Sequence, residues 1–327
     1  MRICIYEARA DELKDFDNTG KELGLSLELH SDVPTLENAG LAEGCEGVAI
    51  LGMGKIDKAL LDAWKSLGVK CLATRTIGYN HIDIEYAKSI GMMVCNSDYP
   101  PTGVAEYTVM MMLMVLRYYK AALWRGQVND YSLAGLQGRE IANLTVGVIG
   151  TGKIGRTVIK ALSGFGGKIL AWDKYQNEET KQYAEYVELD ELFARSDVIT
   201  LHLSLNDETF HIVNRGSIAK MKDGVVLINC ARGELMELDA LIEGVETKKI
   251  GGLGLDTVEG EVGLVHLDHK TDILKNKNIA YLRQFPNVVM TQHMAFYTDV
   301  AVRGMVRASL EGIKSMCETG SFRTRIV

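Results

Sequence analysis

The chain has 327 residues, 47% of them apolar and 24% charged, a globular composition that excludes a disordered or collagen-like chain. At this length one core usually gives way to two, so two domains are expected. Thirty-six basic against 43 acidic residues leave a net charge of −7, which argues against nucleic-acid or anionic-membrane partners, because nothing offsets phosphate charge over the surface as a whole.

The N-terminal Met1-Arg2-Ile3-Cys4-Ile5-Tyr6-Glu7 has only four apolar residues between Arg2 and Glu7. It reads as a strand and not as a signal peptide, so a cytoplasmic protein is expected. Short β-rich runs follow at 26–29, 48–51, 71–74 and 92–95, separated by amphipathic stretches, which makes the first hundred residues a small α/β domain. After Pro100-Pro101, residues 103–124 contain strong helix formers and no internal Gly or Pro, and are apolar nearly all round. They read as one helix buried between domains or subunits. Its most apolar part, 107–116, stops at Arg117, well short of the ~20 residues that span a bilayer.

From Asn143 the rhythm restarts. Residues 145–149, 168–172, 198–203, 225–229, 253–255 and 288–291 read as buried strands separated by helices. Continuous apolar strands alternating with helices imply a parallel sheet covered on both faces, the doubly wound arrangement. A last helix at about 298–318 lies beyond the final strand, where it can return to the first domain. The expected organisation is therefore α/β, with a domain of residues 101–296 inserted in a discontinuous one made of 1–100 plus 297–327. The six cysteines are widely spaced without a Cys-x-x-Cys, so free buried thiols are expected in place of disulfides or zinc.

Gly150-Thr151-Gly152-Lys153-Ile154-Gly155 is a Gly-x-Gly-x-x-Gly turn. Alone it is weak, but an apolar strand precedes it and a helical stretch follows, as a dinucleotide turn requires. Gly150 permits the turn, Gly152 lets the backbone approach a pyrophosphate, and Gly155 lets helix and strand pack closely. The helix N-terminus then presents unpaired N–H groups to the phosphates. Asp173 ends the next strand, 18 residues beyond Gly155. A carboxylate there accepts from the adenosine ribose hydroxyls and repels a 2′-phosphate, so NAD is expected in preference to NADP.

Three later strands end in polar segments: Asn229-Cys230-Ala231-Arg232-Gly233, Asp256-Thr257-Val258-Glu259-Gly260-Glu261 and Thr291-Gln292-His293-Met294-Ala295-Phe296-Tyr297. Ligands of open α/β sheets bind outside the carboxyl ends of strands, where these residues fall. Over nearly its whole length the sequence resembles the NAD-dependent D-2-hydroxyacid dehydrogenases, with these segments matching the family's Arg, Glu and His motifs in order. Residues 259–263 and 293–298 most resemble the D-lactate dehydrogenase branch, which includes enzymes for larger 2-oxo acids.

The resemblance implies two Rossmann-like domains, the inserted one binding NAD and the discontinuous one the substrate, closing over a cleft. Reduction of a 2-oxo acid to the D (R) hydroxy acid requires a hydride, a proton and a counter-charge for the carboxylate. Arg232 would bridge carboxylate and carbonyl oxygen. His293 would donate the proton, and Glu261 would orient its ring and raise its pKa. Glu259, two residues earlier, is left to support or solvent.

By the same resemblance Lys153, Ile154, His202, Leu203, Ser204, Thr209, Cys230, Ala231 and Asp256 would line the cofactor. Residues 75–83 resemble the substrate-carboxylate loop, with Ile77 and Gly78 at the substrate and Tyr99, Phe296 and Tyr297 as walls. The polar His266, Asp268 and His269 are read as a loop, since the family uses no metal. Two departures stand out: Gln292 and Ser204 replace usual prolines, and Leu133 falls where the lactate enzymes often place a large aromatic. The smaller residue leaves room for an isobutyl or aromatic substrate side chain.

A homodimer through the 103–124 helix is also implied. Other readings are an NADH-sensing protein like the related C-terminal-binding corepressors, though no long tails are seen, or a hydroxypyruvate/glyoxylate reductase. Phosphoglycerate dehydrogenase is disfavoured by the absence of a regulatory domain, and formate dehydrogenase by Glu261 in place of its glutamine.

Overall fold

The computed structural model describes Met1–Val327, and the chain divides into two compact units, Met1–Pro100 with Tyr297–Val327, and Pro101–Phe296. The first unit holds β1 (Arg2–Ile5), β2 (Ser26–Leu29), β3 (Gly47–Ile50), β4 (Cys71–Thr74) and β5 (Met93–Cys95), all parallel in the order β2-β1-β3-β4-β5. β3 and β4 are buried at every residue, which is why they lack the alternating pattern of a half-exposed strand. On one face Tyr6, Ile50, Leu61, Trp64 and Leu72 form the core. On the other, Ile3, Ile5 and Ala73 pack against Phe16 and against Val306, Leu310 and Ile313 of the Asp299–Thr319 helix.

The second unit holds β6 (Thr145–Ile149), β7 (Lys168–Trp172), β8 (Glu185–Tyr186), β9 (Val198–Leu201), β10 (Val225–Asn229), β11 (Ile250–Leu255) and β12 (Val288–Met290). They form one parallel sheet in the order β12-β11-β10-β9-β6-β7-β8. The order reverses between β6 and β9, the switch point at which doubly wound sheets open a ligand crevice. Both sheets are thus the parallel, helix-covered layers expected from the continuous apolar runs.

The register of the second sheet sets its upper edge. Trp172, Ile149, Leu201, Asn229, Leu255 and Met290 pair in one row across six strands. The residues that follow each of them, Asp173, Gly150, His202, Cys230, Asp256 and Thr291, therefore leave the sheet side by side.

Three elements differ from the sequence reading. The helix expected over 103–124 is two, Thr102–Leu116 and Tyr119–Gln127, because Tyr118 takes a left-handed backbone (φ 50°) and the Leu116 carbonyl accepts from Arg139 N instead of continuing the helix. β11 begins at Ile250, three residues before the expected start. Its glycines weaken a strand signal, yet a Cβ on Gly252 or Gly254 would lie 2.4 Å from Val115 or 2.7 Å from Ile228, so the covering helix and neighbouring strand leave no room for one. β8 is only two residues long and carries no periodicity to detect.

In the first unit the Arg75 guanidinium and the Glu12 carboxylate are both wholly buried and bonded, Nε to Oε1 at 3.1 Å. Arg75 also donates to the carbonyls of Tyr6 (3.2 Å) and Glu7 (2.8 Å). It thereby ties the loop that follows β4 to the end of β1. Removing one partner of such a pair strands a charge, at a cost of about 3–5 kcal/mol. Glu12→Gln is expected to lose stability on that scale in urea unfolding, and Glu12→Gln with Arg75→Met to recover much of it; a single variant as stable as wild type would contradict this account.

Candidate active site

Gly150 leaves β6 with φ 96° and donates to Trp172 O at 2.8 Å. The Lys153–Ser163 helix follows, opened by Lys153 and Ile154, and its N-cap Gly152 supplies no side-chain acceptor, which leaves the first-turn N–H groups to a ligand. A Cβ on Gly155 would sit 1.9 Å from Gly150 O, whereas one on Gly152 would meet nothing within 4 Å. Helix and turn are thus pressed together at Gly155 and open at Gly152, a cradle that fits a pyrophosphate. Asp173 accepts from Thr151 N (2.6 Å), Thr151 Oγ1 (3.1 Å) and Tyr175 N (3.0 Å). Tyr186 of β8 donates to Thr151 Oγ1 at 2.8 Å and accepts from Asn177 N. Neither Thr151 nor Tyr186 was singled out by the sequence; Tyr186 arrives on the strand that has no sequence signal.

At the end of β9, His202 Nε2 shares a 3.0 Å bond with Thr200 Oγ1 while Nδ1 is buried without a partner. Burial pushes the imidazole down to about 3, so it is neutral at ordinary pH. Leu203 packs on the core, and Ser204 O accepts from Thr209 Oγ1 at 2.7 Å, closing the turn after it. Burial also pushes the Cys230 thiol up to about 12, which makes it a packing group and not a nucleophile.

Past β10, buried Asn229 accepts from Ala231 N (3.0 Å) and donates to Arg232 O (2.7 Å), fixing the turn that presents Arg232. The Arg232 guanidinium donates through Nη1 to Ala231 O at 2.6 Å. The next residue, Gly233, runs against the loop beyond β11: a Cβ there would be 2.2 Å from the Val258 carbonyl carbon. The backbone of the Arg232 loop is therefore in contact with the loop that carries Glu261.

Glu261 Oε1 accepts from His293 Nδ1 at 2.7 Å, and its Oε2 accepts from Val258 N at 2.9 Å. Both oxygens are held, so the carboxylate fixes the ring and assigns the proton on Nδ1. His293 lies in the left-handed region (φ 55°), a conformation that costs a non-glycine residue about 1–2 kcal/mol. Asp256 holds it there, accepting from Thr291 Oγ1 (2.6 Å), Met294 N (2.9 Å) and Ala295 N (2.8 Å). The carboxylate of Asp256 is thus committed first to the His293 loop.

Glu259 is bonded elsewhere, to His211 Nε2 at 2.7 Å and Leu238 N at 3.0 Å. It is unavailable to His293 and is not a solvent residue. Nothing local marks His211, 48 residues away, as its partner.

Phe296 lies beside His293 and His266, with ring centroids 6.5 and 6.2 Å away. The other substrate candidates belong to the first unit. There Ile77 O accepts from Asn96 Nδ2 (2.6 Å), Gly78 O from Thr76 Oγ1 (2.6 Å), and the Arg9 guanidinium lies 5.1 Å from the Tyr297 ring centroid; Tyr99 packs on Gly304.

Residues 109–295 match the family model described as D-isomer specific 2-hydroxyacid dehydrogenase, NAD binding domain. The chain belongs to this family. It is 43% identical over 329 aligned positions to an aromatic 2-oxoacid reductase of Clostridium sporogenes, covering 100% of this chain and 99% of that one. It is 34% identical to the D-lactate dehydrogenase of Escherichia coli, with 97% of each covered. A solved D-2-hydroxyisocaproate dehydrogenase superposes with TM-score 0.90 at 33% identity, covering 100% of this chain and 99% of that one. The 2-hydroxyacid dehydrogenase is thus an NAD-dependent oxidoreductase, and its glycine turn has the open cradle that NAD requires.

The neutral, buried His202 gives the enzyme an acid limb. Its folded pKa lies below the unfolded ~6.5, so the unfolded chain binds the extra proton. Stability falls by about 1.4 kcal/mol per pH unit as pH drops below that value. His202→Asn is expected to flatten the stability profile between pH 6 and 4 in urea titrations of the cofactor-free enzyme. Parallel profiles for the two proteins would show that His202 does not contribute.

Proposed function

We propose that the enzyme reduces 2-oxo acids with bulky, aromatic or branched side chains to the R-2-hydroxy acids, reversibly and with NADH. The observation that carries this reading is the Glu261–His293 pair at the same sheet edge as the dinucleotide turn. The larger substrate is supported by the full-length similarity to a reductase named for aromatic 2-oxo acids. It is also supported by Leu133, 83% exposed, at the position where lactate enzymes often carry a larger aromatic.

In this reading Gly150, Gly152 and the first turn of the Lys153–Ser163 helix hold the pyrophosphate, and Asp173 the adenosine ribose. Ile154, His202, Leu203, Ser204, Thr209, Cys230, Ala231 and the Asp256 backbone line the rest. When bound, the nicotinamide supplies the hydride. Arg232 binds the substrate carboxylate and polarises the ketone through its planar fork. His293 holds a proton on Nε2 and passes it to the carbonyl oxygen as charge develops there; the same nitrogen accepts it when the hydroxy acid is oxidised. Glu261 stabilises the ring while it is cationic, because its carboxylate already faces Nδ1.

The enzyme is proposed to be a cytoplasmic homodimer. No helix is long and apolar enough to cross a membrane. The Thr102–Leu116 helix carries exposed Met110 (40%) and Leu113 (36%), which line an apolar hollow of about 590 Å³ with Val109, Met114 and Ala161. A second copy would cover them. Light scattering should give twice the chain mass, and Met110→Glu should reduce it; a wild-type monomer would refute the assignment.

Steady-state kinetics should give higher kcat/KM for phenylpyruvate or 2-oxoisocaproate than for pyruvate, R products, and a strong preference for NADH over NADPH. His293→Gln is expected to lower kcat by roughly 10²–10⁴-fold with little change in KM, and Arg232→Gln to impair both. A preference for pyruvate would overturn the substrate class, and an active His293→Gln enzyme the proton-donor role.

A further inference from the structure

Cys71, the first residue of β4, and Cys317, in the last turns of the Asp299–Thr319 helix, bring their sulfurs to 3.0 Å. That is about 1 Å beyond a disulfide bond of about 2.05 Å. Both thiols are free in the structure, Cys71 wholly buried and Cys317 partly exposed. The helix packs on β4 and its neighbours β3 and β5, and Cys71 and Cys317 lie in one apolar cluster with Leu310, Ile313 and Met316, so the pair is a fixed feature of the core of the first unit, not a chance meeting of surface groups. No role in the reaction engages either residue.

We propose that Cys71 and Cys317 are a thiol modification site that hydroperoxides convert to an internal disulfide. The asymmetry of the pair assigns the steps. Cys317 is the more exposed member, its Sγ 3.9 Å from Glu46 O. With Cys71 as the donor between the sulfurs the pKa of Cys317 is lowered, helped by the positive charge of Lys70 and opposed by burial, Glu46 and Glu318. Cys71 is raised by the same bond and by burial, and stays a thiol.

The Cys317 thiolate attacks the terminal oxygen of the hydroperoxide. The O–O bond breaks, an alcohol or water leaves, and Cys317 becomes a sulfenic acid. The Cys71 sulfur then attacks the Cys317 sulfur. The S–S bond forms as the S–O bond breaks, and the hydroxide leaves as water with the proton of Cys71. In sum two thiols lose two electrons and two protons, and the hydroperoxide is reduced by two electrons.

The cross-link would have a particular topology. Cys71 and Cys317 lie in the two separate segments of the first unit, so the loop they close contains the whole of Pro101–Phe296. Constraining so long a loop in the unfolded chain should raise the melting temperature by about 5 °C.

The test treats the purified full-length enzyme with hydrogen peroxide and maps its peptides without reduction. The expected result is a Cys71–Cys317 peptide lighter by two hydrogens, a melting temperature raised by about 5 °C, and reversal of both by dithiothreitol. Cys317→Ser should abolish the peptide and the shift while the reduced variant keeps wild-type turnover. Over-oxidised Cys317 without a cross-link, a Cys71–Cys95 or intermolecular bond instead, or six intact thiols after treatment would each overturn the proposal; the mapping needs only the wild-type protein.

Discussion

The site depends on the hydrogen-bond register of one parallel sheet. In a parallel ladder the carboxyl ends of all strands point the same way, and here six of them stop on a single row from Trp172 to Met290. A glycine turn, an acid, a neutral histidine, an arginine loop and a histidine loop are thereby delivered to one edge, although they are scattered from residue 150 to 293 of the chain. A slip of one residue in any strand would swap its side chains between the two covered faces and move its end off that row, so the register that packs the core is the same one that aligns this edge.

Holding reactive groups beyond that edge requires conformations that the backbone does not favour on its own. His293 sits at positive φ, and the three bonds that Asp256 accepts from Thr291, Met294 and Ala295 offset the strain. Glu261 is pinned by Val258 N, and Gly233 allows the arginine loop to lie directly on Val258. Asn229 supports that loop from below. The polar residues of this edge thus serve one end: they hold the His293 ring and the backbone of the Arg232 loop in place, so that in the proposed reaction little reorganisation would remain.

The legible parts of the sequence were those in which local pattern and tertiary role coincide. Continuous apolar runs such as Val225–Asn229 and Lys168–Trp172 read as strands because both faces of their sheet are covered. The glycine turn read as such because its spacing reflects a steric need seen between Gly155 and Gly150. The illegible parts lacked a local cause. The break at Tyr118 follows from Leu116 O finding Arg139 N, a partner 23 residues on. The pairing of Glu259 with His211 separates it from Glu261, its near-twin in sequence. The Tyr186–Thr151–Asp173 chain of bonds needs β8 beside β7.

By itself the sequence determined the class of fold, the order of elements and the residue types available for chemistry, because burial pattern, turn glycines and charged groups at strand ends are properties of short segments. Only the tertiary structure decided which acid meets His293, what holds that histidine in its strained turn, and which two of six cysteines come within reach of each other. Those outcomes depend on distances between segments far apart in the chain, and such distances exist only once the sheets have set their registers and the helices have closed over them.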